Sequence, residues 1–406
     1  MSKSEAYYNI LCRPILKLYK IRFHSILDYF IFICFEVFIL MDFFTGLLLS
    51  RGLPSIGVPF KLFLMFLIFF SIKKENKFLL LVYFISLMTL NAVLYCFSKT
   101  ANLSDSLSML LKIMMYPFLL EYIEDTYQRI DNGKDLIKRI CIISCYIIIF
   151  NQFLGIIGLG LPSYSDSTFG IKGFFYDANA MAVVCFCLFV FFYTIEIKRI
   201  LAILILLCSF LLGTKTAILA IILYLFSYNF IISKLKTKKY IILLFFITIL
   251  IIWYLIFQTD IFSYHIQKMK RLYELFDGHI LSVILSGRDI DLHNTYEDFK
   301  DNFSIITLLF GTGFKNENII ELDFFDCFFS FGLLYTIPIV LTYLYVIIRN
   351  RKIVEVTIFN LLMILIVFTS GHVWFNTSTS LFFVINNIYG RFISYEKKNK
   401  CYITTA

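Results

Sequence analysis

The chain has 406 residues, 60% of them hydrophobic and 19% aromatic but only 16% charged, with a mean hydropathy of +0.82. A soluble globular chain is nearer half apolar and about a quarter charged, so this composition excludes an ordinary water-soluble domain and points to lipid as the solvent. The net charge of +9 would suggest a nucleic-acid surface in a soluble protein; here the placement of the cations matters more than their sum, and no nucleic-acid partner is expected.

A helix needs roughly 20 apolar residues to cross a bilayer. On that criterion the candidate spans are Tyr29–Leu49, Ile56–Ile72, Phe78–Phe97, Leu107–Ile123, Ile140–Leu159, Asn179–Ile197, Ile200–Leu212, Thr216–Ile232, Tyr240–Phe257, Phe324–Ile348, Ile353–Thr369 and Val373–Ile393. Three are atypical: Ile200–Leu212 is short, the fourth contains Lys112, and the last is interrupted by the run NTSTS. The fold class expected is all-α, a polytopic bundle of about 12 spans forming one integral membrane domain over residues 1–406.

Most of the 37 Lys and Arg residues fall on one side of this arrangement. They lie in the N-terminal segment, in KKENK from Lys73, between Arg129 and Arg139, at Lys198 and Arg199, in SKLKTKK from Ser233, in RNRK from Arg349 and in the C-terminal tail. The positive-inside rule puts that side, and both termini, in the cytoplasm. No cleavable leader is expected, because the basic first two dozen residues are not followed by a small-residue cleavage site.

One outer loop is long, residues 259–322, and loops of that length usually carry function. Ile266, Met269, Leu272 and Phe276 recur in it at helical spacing among charges, the pattern of a helix lying along a membrane surface. The loop has no cysteine for a disulfide. Cys185 and Cys187 form CxC inside a span and read as small apolar packing residues; no metal site or cofactor is expected.

Four motifs fall on the outer side. The first is FGIKGFFYDANAMAVV from Phe169, where Lys172 is a candidate cation and Asp177 or Asn179 could cap the next span. The second is LLGTKTAILA from Leu211; Lys215 either snorkels to headgroups or faces a lipid-linked phosphate.

The third is SGRDIDLHN from Ser286. Ser286 and Asp289 resemble a capping box, and Leu292, Tyr296, Phe299 and Phe303 continue as a helical stripe. Arg288 would then sit in the first turn, where free N–H groups, the helix dipole and the guanidinium fork suit an anion; the alternative is an exposed loop arginine.

The fourth is FGTGFKNENIIELDFFDCFFSFG from Phe310. Its glycines make a turn rather than a nucleotide-binding loop, because no strand precedes it. Asp323 and Asp326 fall on one helical face, and Glu321 points elsewhere unless the helix starts after it. Carboxylates at a membrane edge are functional candidates. His372 closes the set; a lone histidine at a span end is more often structural.

In this order the motifs resemble O-antigen polymerases of the Wzy type and, more distantly, O-antigen ligases. The resemblance rests on G-F-x-x-D-x-N at Gly173–Asn179, G-T-K-T-A at Gly213–Ala217 with Lys215 where the family has Arg, and S-G-R at Ser286–Arg288. It continues through F-G-x-G-F and E-x-D-x-x-D over Phe310–Asp326 and G-H-V at Gly371–Val373. It implies a glycosyltransferase that moves a growing glycan from undecaprenyl pyrophosphate to the next lipid-linked repeat unit, on the outer side of the cytoplasmic membrane. Expected partners are that lipid-linked oligosaccharide, membrane lipid and a chain-length regulator. Arg288, Lys215 and Lys172 would hold the departing pyrophosphate, and Glu321, Asp323 or His293 would take the proton of the attacking hydroxyl. Asn179, Asp326 and His372 complete the expected substrate-binding set. The competing classes are a ligase and a flippase or other transporter; a transporter would favour matched halves and broken midplane helices, and the sequence has Pro117 and Pro338 but no matched halves, with the notable charges at the outer edge.

Overall fold

With lipid as solvent, each backbone N–H and C=O must be satisfied within its own segment, and the apolar stretches accordingly wind into helices. A computed structural model describes residues 26–72, 103–130, 133–163, 170–233, 287–314, 319–371 and 373–404, with isolated positions between them. The first half comprises α1 (Ile26–Glu36), α2 (Phe38–Leu49), α3 (Gly57–Ser71), α4 (Leu103–Arg129), α5 (Gly133–Ile156), the strands β1 (Leu161–Pro162) and β2 (Ile171–Gly173), α6 (Ala178–Val190), α7 (Arg199–Leu212) and α8 (Lys215–Ile232). The second half comprises α9 (Arg288–Asp301), α10 (Ile305–Phe310), α11 (Asp323–Phe331), α12 (Leu333–Asn350), α13 (Val354–Thr369) and α14 (Thr377–Thr404).

By length and composition, five of these helices can cross a membrane: α4, α5, α6 with the π turn that extends it to Ile195, α8 and α12. The pair α1–α2 makes a sixth if counted as one span; α3, α7 and α13 are shorter apolar helices. The protein is a multi-pass helical membrane protein. The expected span Tyr240–Phe257 and the basic N-terminal segment lie outside the described residues, as do all but isolated positions of the expected span Phe78–Phe97 and of the surface helix from Ile266.

Two spans expected as single helices are broken. Tyr29–Leu49 bends by 52° at Val37, whose φ of −90° and ψ of 4° leave the helical region. Phe324–Ile348 divides at Gly332 into α11 and α12, and α11 falls outside the candidate spans. Gly332 has φ +73°, and a Cβ there would come within 2.4 Å of the Leu309 carbonyl group. The F-G-x-G-F turn crosses the end of α11 at this point: Thr312 N–H donates to the Phe329 carbonyl at 2.8 Å and Gly313 N–H to that of Ser330 at 3.0 Å. The motif is therefore a backbone clamp, and only a residue without a side chain fits beneath it.

The core forms around α6, which is buried at every position but Asn179, as a helix apolar on all sides must be. Cys185 and Cys187 lie within it. Beside it runs α14, buried from Thr377 to Arg391, with the Asn386 amide donating to the Cys187 carbonyl at 3.0 Å. The NTSTS run is drawn into this interface: α14 starts at Thr377, and Thr377, Ser378, Thr379 and Ser380 are all buried.

Within residues 259–322, α9 follows the expected stripe only in part. Phe299 is buried against Phe328 and Phe329, at ring-centroid distances of 5.6 and 5.3 Å, and Leu292 packs on the same small core. Tyr296 and Phe303 stay exposed.

Candidate functional site

Arg288 is the first residue of α9. The helix is capped by Gly287 in the left-handed region, at φ 86°, with no side-chain cap. This corrects the expected capping box, because Ser286 precedes the cap position; the Asp289 carboxylate instead accepts from the Ser282 hydroxyl. The Arg288 side chain is 16% exposed. One guanidinium nitrogen pairs with Glu321 Oε2, and the other donates to the Thr369 carbonyl at 3.4 Å.

Glu321 lies outside α11, whose cap is Leu322. It is one of two non-glycine residues at positive φ among those described, at 60°. Backbone held there costs of order 1 kcal/mol or more and persists only where surrounding contacts fix it. The fixing contacts are visible. Asp326, in the first turn of α11, accepts the N–H groups of Ile320 at 2.9 Å and Leu322 at 3.0 Å, on either side of Glu321. Gly371, at φ +63°, approaches so closely that a Cβ would meet the Glu321 carbonyl oxygen at 2.7 Å. The Glu321 side chain is left 44% exposed, beside the arginine.

Asp323 is buried and its Oδ2 accepts two successive N–H groups, from Val373 at 2.6 Å and Trp374 at 2.8 Å. It ties the start of α11 to the segment that enters α14. Burial pushes the Asp326 carboxyl up to about 7, against the lowering effect of its two backbone donors. Asp323 and Asp326 thus hold backbone in place, whereas Glu321 presents a carboxylate to the surface. His293 is exposed on α9, roughly 140° around the helix from Arg288 at 3.6 residues per turn. His372 and Ser286 lie outside the described residues.

The other two motifs meet at the β1–β2 hairpin. Asn151 of α5 holds its second strand from both sides: its amide donates to the Lys172 carbonyl at 2.8 Å, and its oxygen accepts from Phe174 N–H at 2.7 Å. The Lys172 ammonium donates to the Tyr176 carbonyl at 3.2 Å. Asp177 is the cap of α6, accepting from the N–H groups of Asn179 and Ala180 at 2.8 and 3.1 Å; Asn179 sits half-buried in the first turn. Lys215 opens α8, exposed, after the left-handed Gly213 that ends α7. Ser163, beyond β1, donates to the Leu212 carbonyl at 2.7 Å and brings this turn onto the hairpin.

Three charged residues outside these motifs lie close together. Asp42 of α2 pairs with Lys61 of α3 at 2.8 Å and accepts from Ser378 of α14. Lys112 of α4 lies within electrostatic range of Lys61, Asp42 and Asp177. The sequence signal was present, since a charge inside an apolar run is unusual, but nothing in the spacing said which runs would meet.

Residues 262–395 match one family model, described as O-antigen ligase like membrane protein. The matched segment takes in the S-G-R, F-G-x-G-F, E-x-D and G-H-V motifs, on which the resemblance to O-antigen polymerases and ligases rests. The Lys172 and Lys215 motifs precede it. No curated protein and no solved structure matches the chain.

Proposed function

From a chain whose residues 262–395 are O-antigen ligase-like, we propose a polysaccharide polymerase. It transfers a growing O-antigen or capsule glycan from undecaprenyl pyrophosphate to the next lipid-linked repeat unit, on the outer side of the cytoplasmic membrane. The observation that carries this reading is the Arg288–Glu321 pair: a fixed cation at a helix start, with a half-exposed carboxylate in hydrogen-bond reach of it. In the transfer, the bond from the donor sugar C1 to the phosphate oxygen breaks as the acceptor hydroxyl forms the new glycosidic bond. The leaving oxygen gains charge, which the guanidinium and the α9 N-terminus stabilise. The proton of the hydroxyl passes to Glu321, whose displacement from the arginine by the incoming pyrophosphate frees it as a base. Lys172 on the hairpin and Lys215 at the start of α8 supply further positive charge. Both termini face the cytoplasm on this reading, and a chain-length regulator is a partner.

The test is the glycan of cells lacking the protein. A polymerase leaves single repeat units exported and transferred. Lipid-linked units trapped on the cytoplasmic face would identify a flippase, and full-length glycan left on its carrier would identify a ligase.

A further inference from the structure

Hydropathy reads residues 259–322 as one loop in water, but α10 within it has the composition of a lipid-facing segment. Five of its six residues, Ile305, Ile306, Leu308, Leu309 and Phe310, are apolar, and none is buried. Ile305 is 74% and Ile306 63% exposed, and Phe303 just before them is exposed as well. Single apolar side chains on a surface are ordinary, whereas three large ones within four residues form a patch that water penalises. Charge gives way to this patch abruptly: Lys300, paired with Glu297, and Asp301 are exposed at the end of α9.

Two ties fix the height of α10 against the spans. At one end, Ser106 of α4 and Phe314 exchange hydrogen bonds, hydroxyl to carbonyl at 3.4 Å and N–H to hydroxyl at 3.3 Å. The Phe314 ring stacks on Phe331, two residues before α12 begins. At the other end, Glu124 of α4 pairs with Arg349 of α12. At 1.5 Å per residue, Ser106 to Glu124 is about 27 Å of helix and Leu333 to Arg349 about 24 Å. The two antiparallel spans therefore share both boundaries of a hydrocarbon core roughly 30 Å thick, and the clamp turn lies at the boundary opposite Arg349.

Helix α10 runs into that turn. Its Leu309 carbonyl group borders Gly332, and the helix packs on α12. Ile305 and Ile306 lie within about 6 Å of Leu309 along the helix axis. The headgroup layer adds about 5–8 Å on each side of the hydrocarbon core, so in any direction the two isoleucines stay within that layer or below it. Part of the polar backbone at the helix ends is paired locally. The Ser304 hydroxyl accepts from Thr307 N–H at 3.0 Å, the Thr307 hydroxyl from Ser304 N–H at 2.7 Å, and Gly311 N–H donates to the Thr307 carbonyl at 2.8 Å. These bonds lower the cost of placing the helix ends at a lipid boundary.

We propose that Phe303, Ile305 and Ile306 are an interfacial anchor: they insert at the headgroup–acyl boundary of the bilayer and tie the end of α9, the helix that begins with Arg288, to the lipid surface. The partner is bilayer phospholipid, engaged by apolar insertion rather than through its headgroup charge. The assignment is independent of whether the chain is a polymerase, a ligase or a transporter.

The experiment uses the full-length wild type in phosphatidylcholine nanodiscs that include a phospholipid with a diazirine near the glycerol end of its acyl chain. Photolysis should attach that lipid to residues 303–306, read by mass spectrometry of the digested protein. A second measurement places a nitroxide at Ile306→Cys and at Lys300→Cys, each read against the labelled unsubstituted protein with its ten native cysteines. Collision with a water-soluble nickel chelate should be several-fold lower at position 306 than at position 300, and collision with oxygen, which concentrates in lipid, several-fold higher. No lipid on residues 303–306, with nickel collision at 306 equal to that at 300, overturns the proposal. No lipid there, with both collisions low at 306, places a protein surface over the patch and overturns it equally.

Discussion

Glu321 reaches the guanidinium of Arg288 from a left-handed backbone position, φ 60°, 33 residues further along the chain. Two features hold it there: the backbone bonds of Asp326 on either side, and the close approach of Gly371. Backbone strain kept in place by dedicated contacts beside a cation suits a site whose geometry matters more than its local stability.

This arrangement separates conformation from chemistry at one position. Glu321→Gly relieves the positive φ and should leave the protein as stable or more so, by about 1 kcal/mol offset by the lost ion pair, yet abolish polymer. Glu321→Gln keeps the side chain's shape and removes the base, and should also abolish polymer while carrier binding persists. Unfolding temperature in detergent and glycan ladder length, read on the same preparations, check both. A normal ladder from Glu321→Gln would exclude the carboxylate as the base.

Asp323 has a different expected signature. It is buried and spans from α11 to the Val373–Trp374 backbone, so Asp323→Ala leaves two N–H groups without their acceptor. Stability should fall by about 2–4 kcal/mol, with reduced protein abundance. Asp323→Asn keeps one acceptor oxygen and should fall less. Polymer per folded molecule, normalised by a stability-independent label, should drop only as the segment between α13 and α14 loosens beside Arg288.

The clamp at Gly332 predicts a fold defect without a direct chemical one. Gly332→Ala places a Cβ against the Leu309 carbonyl at a backbone angle that disfavours it. A loss above about 2 kcal/mol is expected, read as a lower unfolding temperature and depleted membrane protein. Gly158→Ala, at a similar positive φ of 83° but with no atom within 4 Å of the added Cβ, is the milder control.

Orientation is testable at α9. The cation asymmetry puts residues 259–322 outside. A reporter fused near Lys300 should behave as extracytoplasmic, and cytoplasmic activity there would reverse the topology.

The helical class and most helix positions were legible in hydropathy alone, because lipid allows the backbone few other solutions. The breaks at Val37 and Gly332 were not. The first has no proline or glycine, and the second depends on a crossing chain segment that spacing cannot reveal. At the site, Arg288 and Glu321 could be picked out as candidates separately, but their pairing is a long-range contact. Asp323 and Asp326 stood out as functional candidates on one helical face, but spacing could not show their partners: Asp326 accepts the N–H groups on either side of Glu321, and Asp323 those of Val373 and Trp374. Lys112 and the NTSTS run registered only as blemishes in apolar spans, since hydropathy scores a buried polar group as an error and does not record what it meets.

The proposed transfer depends most heavily on Arg288. If it holds the departing pyrophosphate, Arg288→Ala should collapse long glycan ladders to single or few repeat units at unchanged protein abundance, because one preorganised donor is worth about 10² to 10³ in rate. Arg288→Lys should recover part of the ladder, charge being kept while the planar fork is lost. A wild-type ladder from Arg288→Ala at matched abundance would contradict the account.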